Sequence, residues 1–293
     1  MTQARPQTDV DRRPPSELEA DDVGRFLYLD LLKKALTYSL WGETYREVKG
    51  HTTARRLLLR PLRSLLQSRR LALVHRIPFD PAARAEGRDM PESAHTMVGV
   101  RRLSSLQSCI EQVLIDGIPG DLIETGVWRG GAVIFMRAVL KAHARTDKVV
   151  WVADSFSGHP PPDVARYPAD RTMTLHRFDH QTISLEEVQA NFANYGLLDG
   201  QVQFLKGWFK DTLPTAQVER LSLMRLDGVS YGATTEALTY LYPKLSVGGF
   251  VLIDDYGSAH EARQAVDDFR REHRIEEALE PVDWTSVYWR RSA

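Results

Sequence analysis

The stretch Gly120–Gly131, GDLIETGVWRGG, decides the fold. It begins with the apolar end of a strand, Leu122 and Ile123, passes through Gly126, Gly130 and Gly131, and continues as AVIFMRAVL at helical spacing. A strand that runs through glycines directly into a helix is typical of an open α/β sheet, whose ligands bind beside the carboxyl ends of the strands. The sequence therefore predicts a ligand site next to this turn.

Glu124 narrows the kind of ligand that this turn accepts. Its carboxylate would repel a pyrophosphate, and the turn lacks the spacing of the GxGxxG and GxxxxGK[ST] phosphate loops. S-adenosylmethionine fits better, because it carries an amine and a sulfonium charge and no phosphate. An NAD-dependent oxidoreductase on a similar sheet is the alternative, and the same carboxylate disfavours it.

Composition indicates one large domain with an N-terminal extension, since 293 residues with 43% hydrophobic content can bury a sizeable core. A net charge of −1 provides no overall field for nucleic acid or a membrane surface. The single cysteine, Cys109, excludes a disulfide framework and is read as a packing residue. With no apolar run near the length of a membrane span, we expect a cytoplasmic protein.

The N-terminal region divides into a tail and a basic segment. Residues 1–20 are polar and predicted to be disordered, and 26–40 carry apolar residues at helical spacing. Between Lys49 and Arg76 there are eight basic residues and no acidic one, interleaved with leucines, and Pro61 should open or kink a helix there. This segment could cover the active site, dock an acidic carrier protein or touch a membrane, or simply pack as a helix with a solvated basic face.

Two further strands offer cofactor contacts. KVVWVADSF ends in Asp154, a position whose carboxylate can accept hydrogen bonds from both ribose hydroxyls. QVQFLKGWF leads to Trp208 and Phe209, which suit either an adenine face or the core. Thr96 and Met97, before a helix expected over 98–116, are candidate gate residues or else a helix cap and a core methionine.

The last two inferred central strands end in carboxylates. LSLMRLD ends in Asp227, GGFVLIDDY ends in Asp254 and Asp255, and the crossover helix between them makes the two strands parallel neighbours. Three converging carboxylates would repel one another unless a divalent cation lies between them, and all-oxygen ligation favours Mg²⁺, with Mn²⁺ accepting the same ligands. The alternative is that some of them cap helices or pair with Arg225 or Arg263.

Taken together, these motifs resemble the macrocin O-methyltransferase (TylF-like) family. The resemblance covers about residues 79–291 and LYLDLLKKALT near the start, and is carried by ETGVWRGGA, VADSF, FLKGWFKDTLP, LDG, GGFVLIDDYG and AVDDFRREH with VDWTSVYWRR. It implies a Rossmann-like class I methyltransferase fold, a mostly parallel seven-stranded sheet with helices on both faces. For the domain organisation we expect an N-terminal helical extension or lid over 21–95 and an S-adenosylmethionine-dependent methyltransferase domain over 96–293.

The family's activity is S-adenosylmethionine- and Mg²⁺-dependent methylation of sugar hydroxyls on natural products. The resemblance places the metal ligands on Asp227, Asp254 and Asp255, with Asp227 also the general base. Its cofactor contacts fall on Met97, Val98, Glu124, Thr125, Gly126, Val127, Trp128, Asp154, Ser155, Phe156, Ser157, Trp208, Phe209, Asp227 and Gly228. We also expect a homodimer or higher homo-oligomer acting on a small glycosylated acceptor.

Two departures from the family pattern lie on the substrate side. The family continues LDG with DLYEST, whereas this chain has VSYGAT over 229–234 and so lacks an Asp and a Glu. It also has His159 within Gly158–Pro160 where the family has GLP, which adds His159 as a second candidate proton acceptor. A third hypothesis is therefore a catalytically weakened methyltransferase that serves as a cofactor-binding partner or scaffold.

Overall fold

The computed structural model describes residues 20–48, 53–89, 91–177 and 182–293. Its strands are β1 (Thr44–Glu47), β2 (Val74–Ile77), β3 (Asp121–Thr125), β4 (Val150–Asp154), β5 (Val202–Lys206), β6 (Leu221–Leu226), β7 (Leu245–Ile253), β8 (Glu280–Pro281) and β9 (Val287–Arg290). Its α-helices are α1 (Ala20–Leu36), α2 (Thr53–Ser68), α3 (Pro81–Ala85), α4 (Val100–Ile115), α5 (Gly131–Ala142), α6 (Leu185–Asn194), α7 (Phe209–Thr212), α8 (Tyr231–Leu241) and α9 (His260–Glu272).

Seven strands form the central sheet, in the order β5, β4, β3, β6, β7, β9, β8. The first five strands in this order, β5, β4, β3, β6 and β7, pair in parallel. Strand β9 pairs antiparallel with both β7 and β8. The connections run outward in opposite directions from β3 and β6, so the strand order reverses between these two neighbours. In open α/β sheets this switch point is where ligands bind, and the turns after β3 and β6 both open there.

The sheet is covered on both faces because side chains alternate along each strand. Leu122, Val152 and Leu223 point to one face, where they form a core with α1, α4, α5 and α6. Their neighbours in sequence point to the other face and pack against α8 and α9. Burial on both faces explains why the parallel strands read as continuous apolar runs.

The N-terminal region differs from the sequence expectation. Helix α1 begins six residues earlier than the predicted 26–40 and ends at Leu36, because Tyr38 takes a left-handed backbone conformation with φ of 60°. The basic segment contains α2, with Pro61 inside it, and β2, which pairs antiparallel with β1. This two-stranded antiparallel sheet was not predicted, so the extension is not wholly helical. Most of the predicted disordered tail, residues 1–19, and Lys49 lie outside the described residues.

Several local predictions agree with the structure. The predicted parallel pairing of the two aspartate-ending strands is present as β6 and β7. Ser184 accepts a hydrogen bond from Glu187 N at 3.1 Å and so caps α6, as its spacing predicted. Of the residues that the structure describes, none belong to a helix with the length and apolar character needed to cross a bilayer.

Candidate active site

A cavity of about 490 Å³ opens at the carboxyl ends of the central strands, at the switch point between β3 and β6. Gly126, directly after β3, has φ of +80°, and a β-carbon there would lie 2.3 Å from the carbonyl oxygen of Asp227. Only glycine allows the two strand ends to approach this closely. The predicted cofactor turn after β3 therefore lies directly beside Asp227, at the end of β6.

Asp154 connects the two turns on one side of the cavity. Its Oδ2 accepts a hydrogen bond from Val127 N at 2.8 Å, and its Oδ1 accepts one from Phe156 N at 2.8 Å. The carboxylate lines the cavity, so its remaining lone pairs are available to a ligand. Asp154 thus shapes both the β3 turn and the β4 turn and presents an acceptor to the same ligand.

The predicted cofactor contacts separate into two groups. Those that line the cavity are Met97, Gly126, Trp128, Asp154, Ser155, Trp208, Phe209, Asp227 and Gly228. The others are not among the lining residues: Val98, Glu124, Thr125, Val127 and Phe156, which are buried, and Ser157, which is exposed. The aromatic pair at 208 and 209 lies at the cavity wall, although Phe209 also packs against one of the two cores.

Asp227, Asp254 and Asp255 converge at the cavity edge. One carboxylate oxygen from each lies within 4.8 Å of the other two. Asp255 Oδ1 accepts a hydrogen bond from Ser258 Oγ at 3.0 Å, whereas its Oδ2 is buried and has no hydrogen-bond partner in the described part of the chain. Parallel pairing of β6 with β7 causes this convergence, since it places both strand ends on the same edge.

Two arginines hold this carboxylate cluster from behind. Arg225 donates to Asp227 Oδ2 at 2.9 Å and to Asp254 Oδ1 at 2.5 Å, and it also contacts Glu124. Arg102 donates to Asp254 Oδ2 at 2.6 Å and forms an ion pair with Asp283 at 2.9 Å. Each oxygen of Asp254 therefore accepts from a guanidinium and keeps a second lone pair.

The alternative of arginine pairing is thus partly present. Asp227 and Asp254 do pair with Arg225, whereas Arg263 pairs with Asp267 at 3.7 Å on α9. Pairing with Arg225 and convergence with Asp255 occur together, so one arrangement does not exclude the other.

Glu124 has a different environment from the one that the sequence suggested. It is 1% exposed, its Oε1 is a partner of Arg225, and its Oε2 is buried with no hydrogen-bond partner among the described residues. Burial raises the pKa of Glu124 to about 7 and outweighs the opposing effect of Arg225. The carboxylate that was expected to face an amine therefore lies beneath the cavity as part of the arginine network.

The residues of the cluster fit a hard divalent cation. Burial and the charge of Asp254 raise the pKa of Asp227 well above its ordinary value, and the same two causes, in the same order, raise the pKa of Asp255. Crowded, partly desolvated carboxylates of this kind are the ligand set that Mg²⁺ favours. The Asp255 Oδ2, which has no hydrogen-bond partner among the described residues, is available as a metal ligand. Asp227 is more accessible than Asp254, with 28% of its side chain exposed against 6%, and it is the member of the cluster that lines the cavity.

The opposite side of the cavity is formed largely by the irregular segment 158–177, which includes His159. This segment also brings in Tyr167 and Asp170, and α8 adds Glu236. None of these three was singled out from the sequence, because they lie in an irregular loop and in a helix without a chemical motif. Arg102 was also not singled out from the sequence. Its position on the apolar face of α4 could have indicated a buried ionic partner.

Comparisons with known proteins agree on one family. The model of the macrocin O-methyltransferase (TylF) family matches residues 25–291. The chain is 51% identical over 268 residues to demethyldecarbamoylnovobiocin O-methyltransferase of Streptomyces niveus, covering 91% of this chain and 94% of that protein. It is 46% identical over 274 residues to mycinamicin III 3''-O-methyltransferase of Micromonospora griseorubida, covering 92% and 98%.

Solved structures support the same assignment. The O-methyltransferase NovP matches with a TM-score of 0.78 and 43% identity, over 92% of this chain and all (100%) of that one. The calicheamicin methyltransferase CalS11 matches at a TM-score of 0.52 with 16% identity, over 96% and 97%, which shows a shared fold. The predicted class I methyltransferase fold and the family resemblance are both confirmed. This chain belongs to the macrocin O-methyltransferase (TylF) family of enzymes.

Proposed function

We propose that this O-methyltransferase transfers the methyl group of S-adenosylmethionine to a sugar hydroxyl of a glycosylated natural product, with Mg²⁺ held by Asp227, Asp254 and Asp255. The family and fold imply the methyl donor. The sugar acceptor is supported by relatives such as the Streptomyces olivaceus enzyme, 48% identical, which is named as the 4'-O-methyltransferase of a rhamnosyl-tetracenomycin.

The convergence of the three carboxylates beside the cavity is the observation that carries the metal proposal. Their oxygens lie within 4.8 Å of one another, and Asp255 Oδ2 has no other partner in the described chain. When bound there, Mg²⁺ would lower the pKa of an acceptor hydroxyl and hold its oxygen near the donor's methyl group. The arginine network supports this role, because Arg225 and Arg102 keep Asp254 oriented from behind.

The chain's own groups account for binding and proton transfer. Asp154 and the aromatic residues Trp128, Trp208 and Phe209 form the donor side of the cavity, where a carboxylate suits ribose hydroxyls and rings suit adenine. Asp227 is the proposed proton acceptor, since it is the one carboxylate of the cluster that lines the cavity. His159 lines the opposite wall and is the second candidate.

Titration and turnover test the proposal and separate it from its rivals. S-adenosylhomocysteine should bind the purified protein and NAD should not, and methylation of a panel of glycosylated acceptors should require a divalent cation. Tight binding of S-adenosylhomocysteine without turnover of any acceptor would favour the catalytically weakened scaffold. Equal turnover after removal of divalent cations with EDTA would contradict the metal site.

Other features predicted from the sequence extend the proposal. We propose a cytoplasmic enzyme that works as a homodimer or higher homo-oligomer, with residues 96–293 as the catalytic domain and 21–95 as an extension. Docking of a carrier protein through Lys49–Arg76 stays a prediction. In the described part of that segment, Arg63 pairs with Glu47 and Arg76 pairs with Glu43, which leaves fewer basic groups for an acidic partner.

A further inference from the structure

The segment 158–177, which we call the wall segment, shapes the cavity although it has little regular structure. Only short 3₁₀ turns at Pro168–Thr172 and Leu175–Arg177 interrupt it. Its position cannot come from a sheet ladder or a long packed helix, so it depends on individual contacts with its neighbours. The contacts that the structure provides are made mainly with α8, and Thr172 adds a hydrogen bond to Glu261 of α9 at 3.2 Å.

Asp170 makes the first of these contacts. It is 3% exposed, its Oδ1 accepts from Tyr231 N at 2.7 Å, and its Oδ2 accepts from Gly232 N at 2.9 Å. These are the first two N–H groups of α8, which have no partner within the helix. Ser230, the residue before the helix, uses its Oγ to accept from Ala233 N at 3.1 Å. Asp170 therefore supplies, from a distant segment, the acceptors that the local cap leaves out.

The second contact is between Tyr167 and the backbone of Gly232, and it is possible because Gly232 has no side chain. A β-carbon on Gly232 would lie 2.6 Å from Cδ2 of Tyr167 and 3.1 Å from Oδ2 of Asp170. The Tyr167 ring therefore rests directly on the backbone of α8, and its hydroxyl donates to Glu236 Oε1 at 3.1 Å one turn further along the helix. Any larger residue at 232 would displace the wall segment.

The first turn of α8 follows directly after the part of the cavity wall that contains Asp227. Gly228, Val229 and Ser230 follow Asp227 and line the cavity, and they lead directly into α8. On the other side, the wall segment begins at Gly158, close to Ser155 on the donor side. The contact between Asp170, Tyr167 and the first turn of α8 thus sets the width of the cavity between the wall and Asp227.

We propose that Asp170 and Gly232 are positioning residues that fix the wall segment on α8 and thereby set how the acceptor is oriented toward Asp227. This inference rests on the proposed function for its acceptor, whereas the contact itself is independent of any substrate. Both residues line the cavity, and the contacts described for them are with Tyr167, the first turn of α8 and each other, so their loss should affect the acceptor more than the donor.

Three variants test the proposal: Gly232→Ala, Asp170→Ala and Gly24→Ala. Gly24 is the matched control, since a β-carbon at this glycine of α1 would meet nothing within 4 Å. We expect both variants to raise the KM of the acceptor about tenfold, Asp170→Ala because it removes two buried hydrogen bonds and Gly232→Ala because its β-carbon would displace the Tyr167 ring. The Kd of S-adenosylhomocysteine should stay within about twofold of wild type. Gly24→Ala should match wild type in both measurements.

A double variant and proteolysis make the result specific. In a Tyr167→Ala background the Gly232→Ala change should cost less than in wild type, because the ring that it would strike is gone and only the 3.1 Å contact with Asp170 Oδ2 remains. Tryptic cleavage after the exposed Arg166 and Arg171, normalised to cleavage after Arg70, should be several-fold faster in Asp170→Ala than in wild type. Unchanged acceptor kinetics and unchanged cleavage in both single variants would overturn the proposal. If the wild-type enzyme methylates no sugar acceptor, the proposed function fails, and the cleavage rates still decide whether Asp170 and Gly232 hold the segment.

Discussion

Replacing Asp255 with asparagine should stabilise the metal-free protein while removing its response to Mg²⁺. Asp255 Oδ2 is buried without a hydrogen-bond partner in the described chain, and its pKa is raised by burial and by the charge of Asp254. The charged carboxylate is therefore unfavourable where it lies. An asparagine keeps the acceptor for Ser258 and replaces the second oxygen with a donor that neighbouring carboxylates can use.

The structure sets the size of the effect. Two unit charges at the 4.8 Å upper limit of the cluster repel by about 3.5 kcal/mol at an effective dielectric constant of about 20. Arg225 and Arg102 offset much of this repulsion by pairing with Asp254, so we expect a net gain of about 1 kcal/mol for Asp255→Asn. For a chain of this size that corresponds to a rise in Tm of about 2 °C.

Thermal unfolding with EDTA and with MgCl₂ measures both effects. Wild type should gain about 1.4 kcal/mol at a Mg²⁺ concentration about ten times its Kd, and the variant should gain nothing measurable. Glu219→Gln is the control, because it also removes one negative charge. Glu219 is exposed and lies just before the amino end of β6, away from the carboxylate cluster at the carboxyl ends of the strands. A variant that is less stable than wild type in EDTA, or that keeps the full Mg²⁺ response, would show that Asp255 is not an unpaired metal ligand.

Three other substitutions have distinct expected outcomes. Asp227→Asn should lower kcat at least about 100-fold while weakening S-adenosylhomocysteine binding, measured by calorimetry, by much less, because asparagine keeps the shape of a residue that lines the cavity; wild-type turnover would contradict its role as proton acceptor. Asp154→Ala should weaken S-adenosylhomocysteine binding about 10- to 100-fold, because it also releases Val127 N; an unchanged Kd would argue against the donor side assigned here. Asp199→Asn should lower the free energy of unfolding by about 1–2 kcal/mol at pH 7, because it leaves the buried Arg137 without its bidentate partner. The loss is expected to be no larger because the Asp199 side chain is 37% exposed and solvent screens the ion pair. Arg137 lowers the pKa of Asp199 in the folded state, so the stabilisation is present above the unfolded pKa and the difference between the two proteins should shrink below about pH 4; a constant difference across the acid range would contradict the ion pair.

The positions of the strand-end residues could be inferred from sequence because they follow from local pattern and one topological rule. Asp154, Asp227 and Asp254 each close an apolar run, and parallel strands joined by crossover helices end on the same edge. The pairing of β1 with β2, across the intervening helix α2, could not be inferred in this way. The two strands have four residues each, and β2 is mostly exposed, so neither shows the alternation of a half-buried strand.

Glu124 shows the limit of the same reasoning. Its position at the end of β3 was correct, but position alone did not reveal whether the carboxylate faces the cavity or an arginine. That choice depends on Arg225, which lies beside Glu124 only because β6 pairs with β3 in a register that puts the two residues side by side. Arg225, three strands later in the chain, thus decided which partner the Glu124 carboxylate has.

The sequence by itself determined the buried strands, the glycine turn at Gly126 and the expected convergence of Asp227, Asp254 and Asp255, because apolar periodicity is local and a crossover helix makes the two strands it joins parallel neighbours. Only the tertiary structure decided which charges meet: Arg102 with Asp254 and Asp170 with the first turn of α8. These contacts join residues 152 and 61 positions apart. Their energies come from burial and geometry at the contact, which no local pattern records.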